Sequence, residues 1–147
     1  MKMTVRIKKL RENAVIPSFG TEFSAGADLY SAEEGDTVIA PGETKMVHTG
    51  IAVEIPEGYC GIIAARSSVA SKRGLAPANK RGVIDSDYRG ELMTALHNHS
   101  GETQTVSAGE RFAQLLIMPC VFASFVECDE LSETDRGDGG FGSTGKK

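Results

Sequence analysis

The chain has 147 residues, of which 40% are hydrophobic and 24% charged, and its formal net charge is −4. That length supports one domain with a core of its own, and the acidic balance excludes a surface that attracts nucleic acid as a whole. Cys60, Cys120 and Cys128 are an odd count without CxxC spacing, which argues against a disulfide framework or a zinc site and fits a reducing compartment.

From the N-terminus, MKMTVRIKKL lacks the continuous apolar region of a signal peptide, and no later run is long enough to span a bilayer. A cytoplasmic protein with neither a membrane nor a nucleic-acid partner is expected. Val5 and Ile7 mark a first short strand. Val47, Thr49, Ile51, Val53 and Ile55 alternate with His48, Gly50, Ala52 and Glu54, the period of a half-buried strand. Further strands are predicted at Tyr59–Ala64, Glu91–Asn98, Phe112–Met118 and Val121–Cys128. Turn chemistry separates them at Pro41-Gly42, Pro56-Glu57-Gly58, Ser100-Gly101 and Ala108-Gly109. Many short strands at this spacing predict an all-β antiparallel sandwich or barrel. The only helix expected is short, about Ser67 to Lys72. Residues 1–135 read as one domain. Residues 136–147 are glycine-rich with one aromatic, too poor in apolar surface to order alone, and are expected to form a mobile arm.

Three segments carry candidate chemistry. Arg66-Ser67-Ser68 follows a strand and opens the short helix, so amides, hydroxyls and a guanidinium converge as an anion would require. Alone it is equally a helix cap with a surface arginine. Gly82-Val83-Ile84-Asp85-Ser86-Asp87-Tyr88-Arg89-Gly90 delivers a carboxylate from an apolar strand into a turn with an aromatic. Asp85 there suits a general base, although Asp85 and Asp87 also suit a plain turn with Tyr88 in the core. Gly109-Glu110-Arg111-Phe112-Ala113-Gln114 leads into a strand, and Gln114 can donate to a phosphate or simply occupy an edge. The tail Gly140-Phe-Gly-Ser-Thr-Gly145-Lys146-Lys147 is a near miss to a P-loop, with Lys147 where a hydroxyl belongs and no chain left for a helix. His97 and His99 lack an evident third metal ligand, and Arg136-Gly137-Asp138 carries no adhesion role in a cytoplasmic chain.

In order, these segments resemble the five motifs of the trimeric dUTPases. The first is Ala25-Gly26-Ala27-Asp28-Leu29-Tyr30, and the second is Ala65-Arg66-Ser67-Ser68-Val69-Ala70 with Lys72-Arg73-Gly74-Leu75. Asn79 with Gly82–Gly90 makes the third, Gly109–Leu115 the fourth and Arg136–Gly145 the fifth. Ala65 stands where the family often has Pro, and Ser68 where it often has Gly. The resemblance implies a jelly-roll-like β-clip subunit and a homotrimer with shared sites, hydrolysing dUTP to dUMP and pyrophosphate with Mg²⁺. It implies that Asp85 is the base, that Tyr88 packs under the deoxyribose, and that Asn79, Gly82, Val83 and Ile84 pair with uracil near Met93. Arg66, Ser67, Ser68 and Gln114 would cradle the phosphates. Arg136, Phe141, Gly142, Ser143 and Thr144 would close over the nucleotide. Asp28 would approach the metal through water, with no direct protein ligand. The alternatives are a dCTP deaminase of the same fold, which should lack the Asp85–Tyr88 pattern and this arm, and a non-catalytic β-sandwich binding module.

Overall fold

The apolar residues Val47, Ile51 and Val53 lie on the longest strand of the computed structural model of the chain, which describes residues 3–140. This strand, β5 (Thr44–Glu54), lies between β1 (Arg6–Lys9) and β9 (Glu91–Asn98), and β9 pairs on its other side with β7 (Leu75–Pro77). A five-stranded sheet runs in the order β2 (Ser18–Phe19), β3 (Ala27–Tyr30), β11 (Arg111–Pro119), β6 (Tyr59–Ala65) and β8 (Gly82–Ile84). A ribbon of β4 (Thr37–Ile39) and β10 (Gln104–Val106) completes the set. All these ladders are antiparallel. The all-β jelly-roll-like class expected from the sequence is the class observed.

The core is made by side chains that the strands turn inward. Leu29, Ile39, Val47, Ile51, Ile63, Leu75, Leu92, Leu96, Val106 and Phe112 are each at most 1% exposed. Burying an aliphatic side chain of this kind contributes about 1.5–3 kcal/mol. Residues 49–53 of β5 are buried at every position rather than alternately. A local cause acts at Gly50, where Ala14, Ala32 and Arg11 crowd the space a Cβ would take.

The helix α1 (Ser67–Arg73) is one residue longer than expected. It stops at Gly74, whose φ of +65° lets its N–H return to the Ala70 carbonyl. Arg73 in the last turn bonds Glu110 and the Thr105 carbonyl, tying the helix to the loop before β11. No described helix is long and apolar enough to cross a membrane.

One expected element is not a strand in this structure. Residues 121–128 have no ladder partner among the described residues, and Val121 and Phe125 are at least 90% exposed. The pattern of β-branched and aromatic residues is strand-like, but a strand needs a neighbour to bond, and the five-stranded sheet of this chain ends at β2 and β8 without it.

Candidate active site

The central position of β11 assembles one half of the site. Within the five-stranded sheet Gln114 lies opposite Asp28 on β3 and opposite Ala64 on β6. Arg66, two residues beyond Ala64, therefore reaches the same sheet end. Three segments far apart in sequence meet there because β11 has both neighbours in antiparallel register.

Asp28 is the electrostatic hub. Its Oδ1 lies 2.8 Å from Arg66 Nε and its Oδ2 lies 3.1 Å from Arg111 Nη1. Arg66 also donates from Nη1 to the Arg111 carbonyl at 3.3 Å. Two guanidinium charges against one carboxylate leave this corner net positive. The Asp28 side chain is only 11% exposed while those of Arg66 and Arg111 are 26% and 49% exposed. Gln114 donates from Nε2 to the Ala65 carbonyl at 2.9 Å, which turns its carboxamide along the sheet end. Its oxygen occupies the space a Cβ at Gly26 would need, so the glycine before β3 is required for the fit. Ser67 and Ser68 open α1 and are exposed.

Asp85 sits elsewhere. Strand β8 pairs with β6 so that Ile84 lies opposite Gly61. The chain then carries Asp85 toward Cys60, at the opposite end of β6 from Arg66. From Cys60 to Arg66 the strand covers about 20 Å at ~3.3 Å per residue. Asp85 lines an open cavity of about 620 Å³ together with Glu54, Glu57, Asp87 and Arg89. Four carboxylates and one guanidinium make this hollow anionic. Burial and the adjoining Cys120 and Asp85 push the Cys60 thiol above its ordinary range.

The remaining residues named from sequence are placed as follows. Asn79 lies in the exposed turn between β7 and β8, where Arg81 N–H donates to its carbonyl at 2.8 Å. Val83, Tyr88 and Met93 are exposed apolar side chains around the hairpin. Tyr88 N–H donates to the Asp85 carbonyl at 3.2 Å, closing the turn. Arg136 is exposed and bonds the Gly139 carbonyl. Phe141, Gly142, Ser143 and Thr144 lie outside the described residues. Within one chain, then, Asp28, Arg66 and Gln114 come together, and Asp85 with Tyr88 forms a separate group.

Sequence reasoning missed Arg111. Its signal was available: a basic residue one step before a buried strand, in phase with Gln114 only if a bulge intervenes. The structure has that bulge, since Arg111 lies opposite Tyr30 and Ala113 opposite Leu29. Among the described residues no group of three or more His, Cys, Asp or Glu is arranged to hold a metal ion.

The chain is similar to known proteins along most of its length. The dUTPase family model matches residues 12–145. A deoxyuridine 5′-triphosphate nucleotidohydrolase of Nautilia profundicola is 50% identical over 144 residues, covering 98% of this chain and all of that protein. A mutant dUTPase of Staphylococcus bacteriophage 80alpha, solved with dUpNHpp, superposes with a TM-score of 0.86 at 31% identity, covering 98% of this chain and 99% of that one. A mutant dUTPase of phage phi11 of S. aureus, solved to show coordination of a structural Mg(II) ion, gives a TM-score of 0.76 at 30% identity, covering 87% and 98%. With a family match over residues 12–145 and a relative sharing half its residues, the chain belongs to the dUTPase family.

Proposed function

We propose that the protein hydrolyses dUTP to dUMP and pyrophosphate, acting as a homotrimer with Mg²⁺. The observation that carries the shared-site reading is the separation of charge along β6. The hollow at Asp85 is rich in carboxylates and would repel a triphosphate. The cationic corner of Arg66 and Arg111 lies at the other end of the strand. A nucleotide can meet both only if the hairpin of one subunit faces the cationic corner of another. The extended segment after β11 supports assembly too. Val121, Phe125, Val126 and Leu131 are more than 80% exposed, large apolar side chains that a lone chain leaves in water.

In this reading Asp85 accepts a proton from the water that attacks the α-phosphorus. A bond forms from the water oxygen to that phosphorus, and the bond to the α–β bridging oxygen breaks. Pyrophosphate departs with that oxygen, and Asp85 returns its proton to solvent. Arg66, with Ser67, Ser68 and Gln114, holds the phosphates where charge builds. The Asn79–Ile84 hairpin reads the uracil edge beside Met93. A cytosine amino group there would leave buried partners unmatched, at about 1–3 kcal/mol each. Tyr88 fills the space a 2′-OH would need. Arg136 and Phe141 to Thr144 close over base and phosphates.

The donor set fits a Mg²⁺–nucleotide complex rather than a protein-held ion. Both oxygens of Asp28 face guanidinium groups, and Arg66 and Gln114 are donors suited to phosphate oxygens. The triphosphate and water would therefore hold the ion, with Asp28 reached through water. Bound there, Mg²⁺ would neutralise charge on the triphosphate.

Pyrophosphate release from dUTP with and without Mg²⁺, and the same assay on Asp85→Asn, test this reading. Release should require the ion, and the variant should bind dUTP yet turn over about 10²–10⁴ times more slowly. Deamination of dCTP would favour the deaminase alternative, and absence of any turnover would favour a binding module. Mass measurement in solution tests the trimer.

A further inference from the structure

Strand β5 does not run evenly beside β9. His48 lies opposite Met93 and the ladder resumes with Ala52 opposite Glu91, so β5 spends four steps where β9 spends two. The surplus residues form a bulge at Thr49–Ile51, in which Gly50 has φ of +65°. The side chain that fills this bulge is the first residue of β9. Glu91 Oε1 accepts the Gly50 N–H at 2.8 Å, and Oε2 lies 3.0 Å from His48 Nδ1 and 3.6 Å from Arg11 Nη2. Thr49 Oγ1 secures the other wall by donating to the Leu92 carbonyl at 2.5 Å.

Glu91 also terminates the loop that begins at Asp85. Its own carbonyl accepts a hydrogen bond from Tyr88 Oη at 3.1 Å. The ring of Tyr88 then lies across Gly90 so closely that any Cβ there would overlap it. The same residue thus locks its carboxylate into the bulge and holds the tyrosine hydroxyl with its main chain. The main-chain position of Glu91 is what transmits one to the other.

We infer that Glu91 is a positioning residue for sugar selection: by filling the β5 bulge it fixes the carbonyl that orients Tyr88, and so sets how strongly the enzyme rejects a ribonucleotide. This rests on the functional reading above, in which Tyr88 packs under the deoxyribose. Without the carboxylate the Gly50 N–H and the His48 ring lose their partner, the bulge relaxes, and the Glu91 carbonyl moves with it. The tyrosine ring is then free to give way to a 2′-OH.

The test is the ratio of kcat/KM for dUTP to that for UTP in the full-length trimer, read in a double-mutant cycle. Glu91→Ala should lower the ratio about tenfold. Glu91→Gln should restore most of it, because its amide oxygen can still accept the Gly50 N–H. Tyr88→Phe, which removes only the hydroxyl link, should lower the ratio comparably. The Glu91→Ala, Tyr88→Phe double variant should be no worse than the poorer single one. An unchanged ratio in Glu91→Ala, or losses that multiply in the double variant, would overturn the inference, since a residue that merely stabilises the fold lowers the melting temperature without moving this ratio. If Glu91→Ala does not fold, the cycle runs on Glu91→Gln. A loss of about two- to threefold that disappears in the Tyr88→Phe background supports the inference, and no loss overturns it. Failure of the wild-type protein to hydrolyse dUTP would remove the functional reading and this inference together. Wild-type turnover with an insensitive ratio removes the inference alone.

Discussion

Asp28 and Arg66 meet at 2.8 Å between Oδ1 and Nε, and the second carboxylate oxygen of Asp28 is held by Arg111 at 3.1 Å. The carboxylate therefore fixes the direction of Arg66. Asp28→Asn keeps the shape but removes the charge both guanidiniums face. It should lower kcat/KM for dUTP by about 10- to 100-fold while leaving dUMP affinity within about threefold, because dUMP lacks the outer phosphates. Arg111→Ala should cost less, since Arg66 retains its own bond to Asp28. Steady-state kinetics with calorimetry of dUMP and a non-hydrolysable dUTP analogue measure both effects. Equal losses for dUMP and the analogue in Asp28→Asn would show that Asp28 serves the whole site rather than the phosphates.

The Glu91 carboxyl has a pH signature. Burial disfavours its charged form, but the His48 ring, the Gly50 N–H and the Arg11 guanidinium outweigh that and hold it below the usual carboxylate range. A lowered folded value means the contribution to stability is complete above the unfolded value of about 4.3 and fades as pH falls through the folded one. The difference in melting temperature between wild type and Glu91→Gln should be fully present at about pH 5 and shrink on acidification below about pH 4. A difference that stays constant to pH 3 would show that the charge of Glu91 contributes nothing.

At Gly50 the backbone and the packing make the same demand. A Cβ there would lie 2.8 Å from Ala14 Cβ and 3.0 Å from Ala32 Cβ, on a backbone with φ of +65°. Left-handed strain and overpacking together predict a loss of about 2–4 kcal/mol for Gly50→Ala. Urea unfolding should show a lower midpoint with an unchanged slope. A midpoint within error of wild type would mean that the N-terminal segment moves aside freely.

Much of the fold was legible because the signals were local. The run Glu91–Asn98 was read to the residue, and Gly74 ends α1 about two turns past its start signal, as its left-handed φ allows. Strands of two to four residues such as β2, β4 and β10 are too short to show a period, and they form because longer neighbours offer bonds. The motifs named candidate residues but not their grouping. That Asp28 and Gln114 adjoin while Asp85 lies some 20 Å of strand from Arg66 depends on the order β3-β11-β6-β8, which no single segment encodes. Val121–Cys128 misled for the converse reason: its composition is that of a strand, but pairing requires a partner, and none of the described residues lies beside it as one.

Residues 136–147 should decide turnover more than stability. The described part of this segment makes only local bonds, with Arg136 Nε donating to the Gly139 carbonyl at 2.8 Å and Gly139 N–H to the Arg136 carbonyl at 3.1 Å. Arg136, Gly137 and Asp138 are exposed, so the described start of the segment adds little to the core. Its remaining residues combine Phe141, suited to stack on a base, with Ser143 and Thr144, whose hydroxyls suit phosphate. Gly137, Gly139, Gly140, Gly142 and Gly145 make any single conformation expensive, at about 1–2 kcal/mol each in backbone entropy. Only a ligand offering both base and triphosphate can offset that cost, so closure should report the correct substrate. Truncation after Asp135 should leave the oligomer and its melting temperature nearly unchanged. It should reduce dUTP turnover by on the order of 10²-fold, with a far smaller effect on dUMP binding. Phe141→Trp introduces the sole tryptophan into a chain that has none, and its emission should change on adding a non-hydrolysable dUTP analogue but not on adding pyrophosphate alone. Full turnover by the truncated enzyme would show that the segment is a solubilising extension, with no part in gripping the nucleotide.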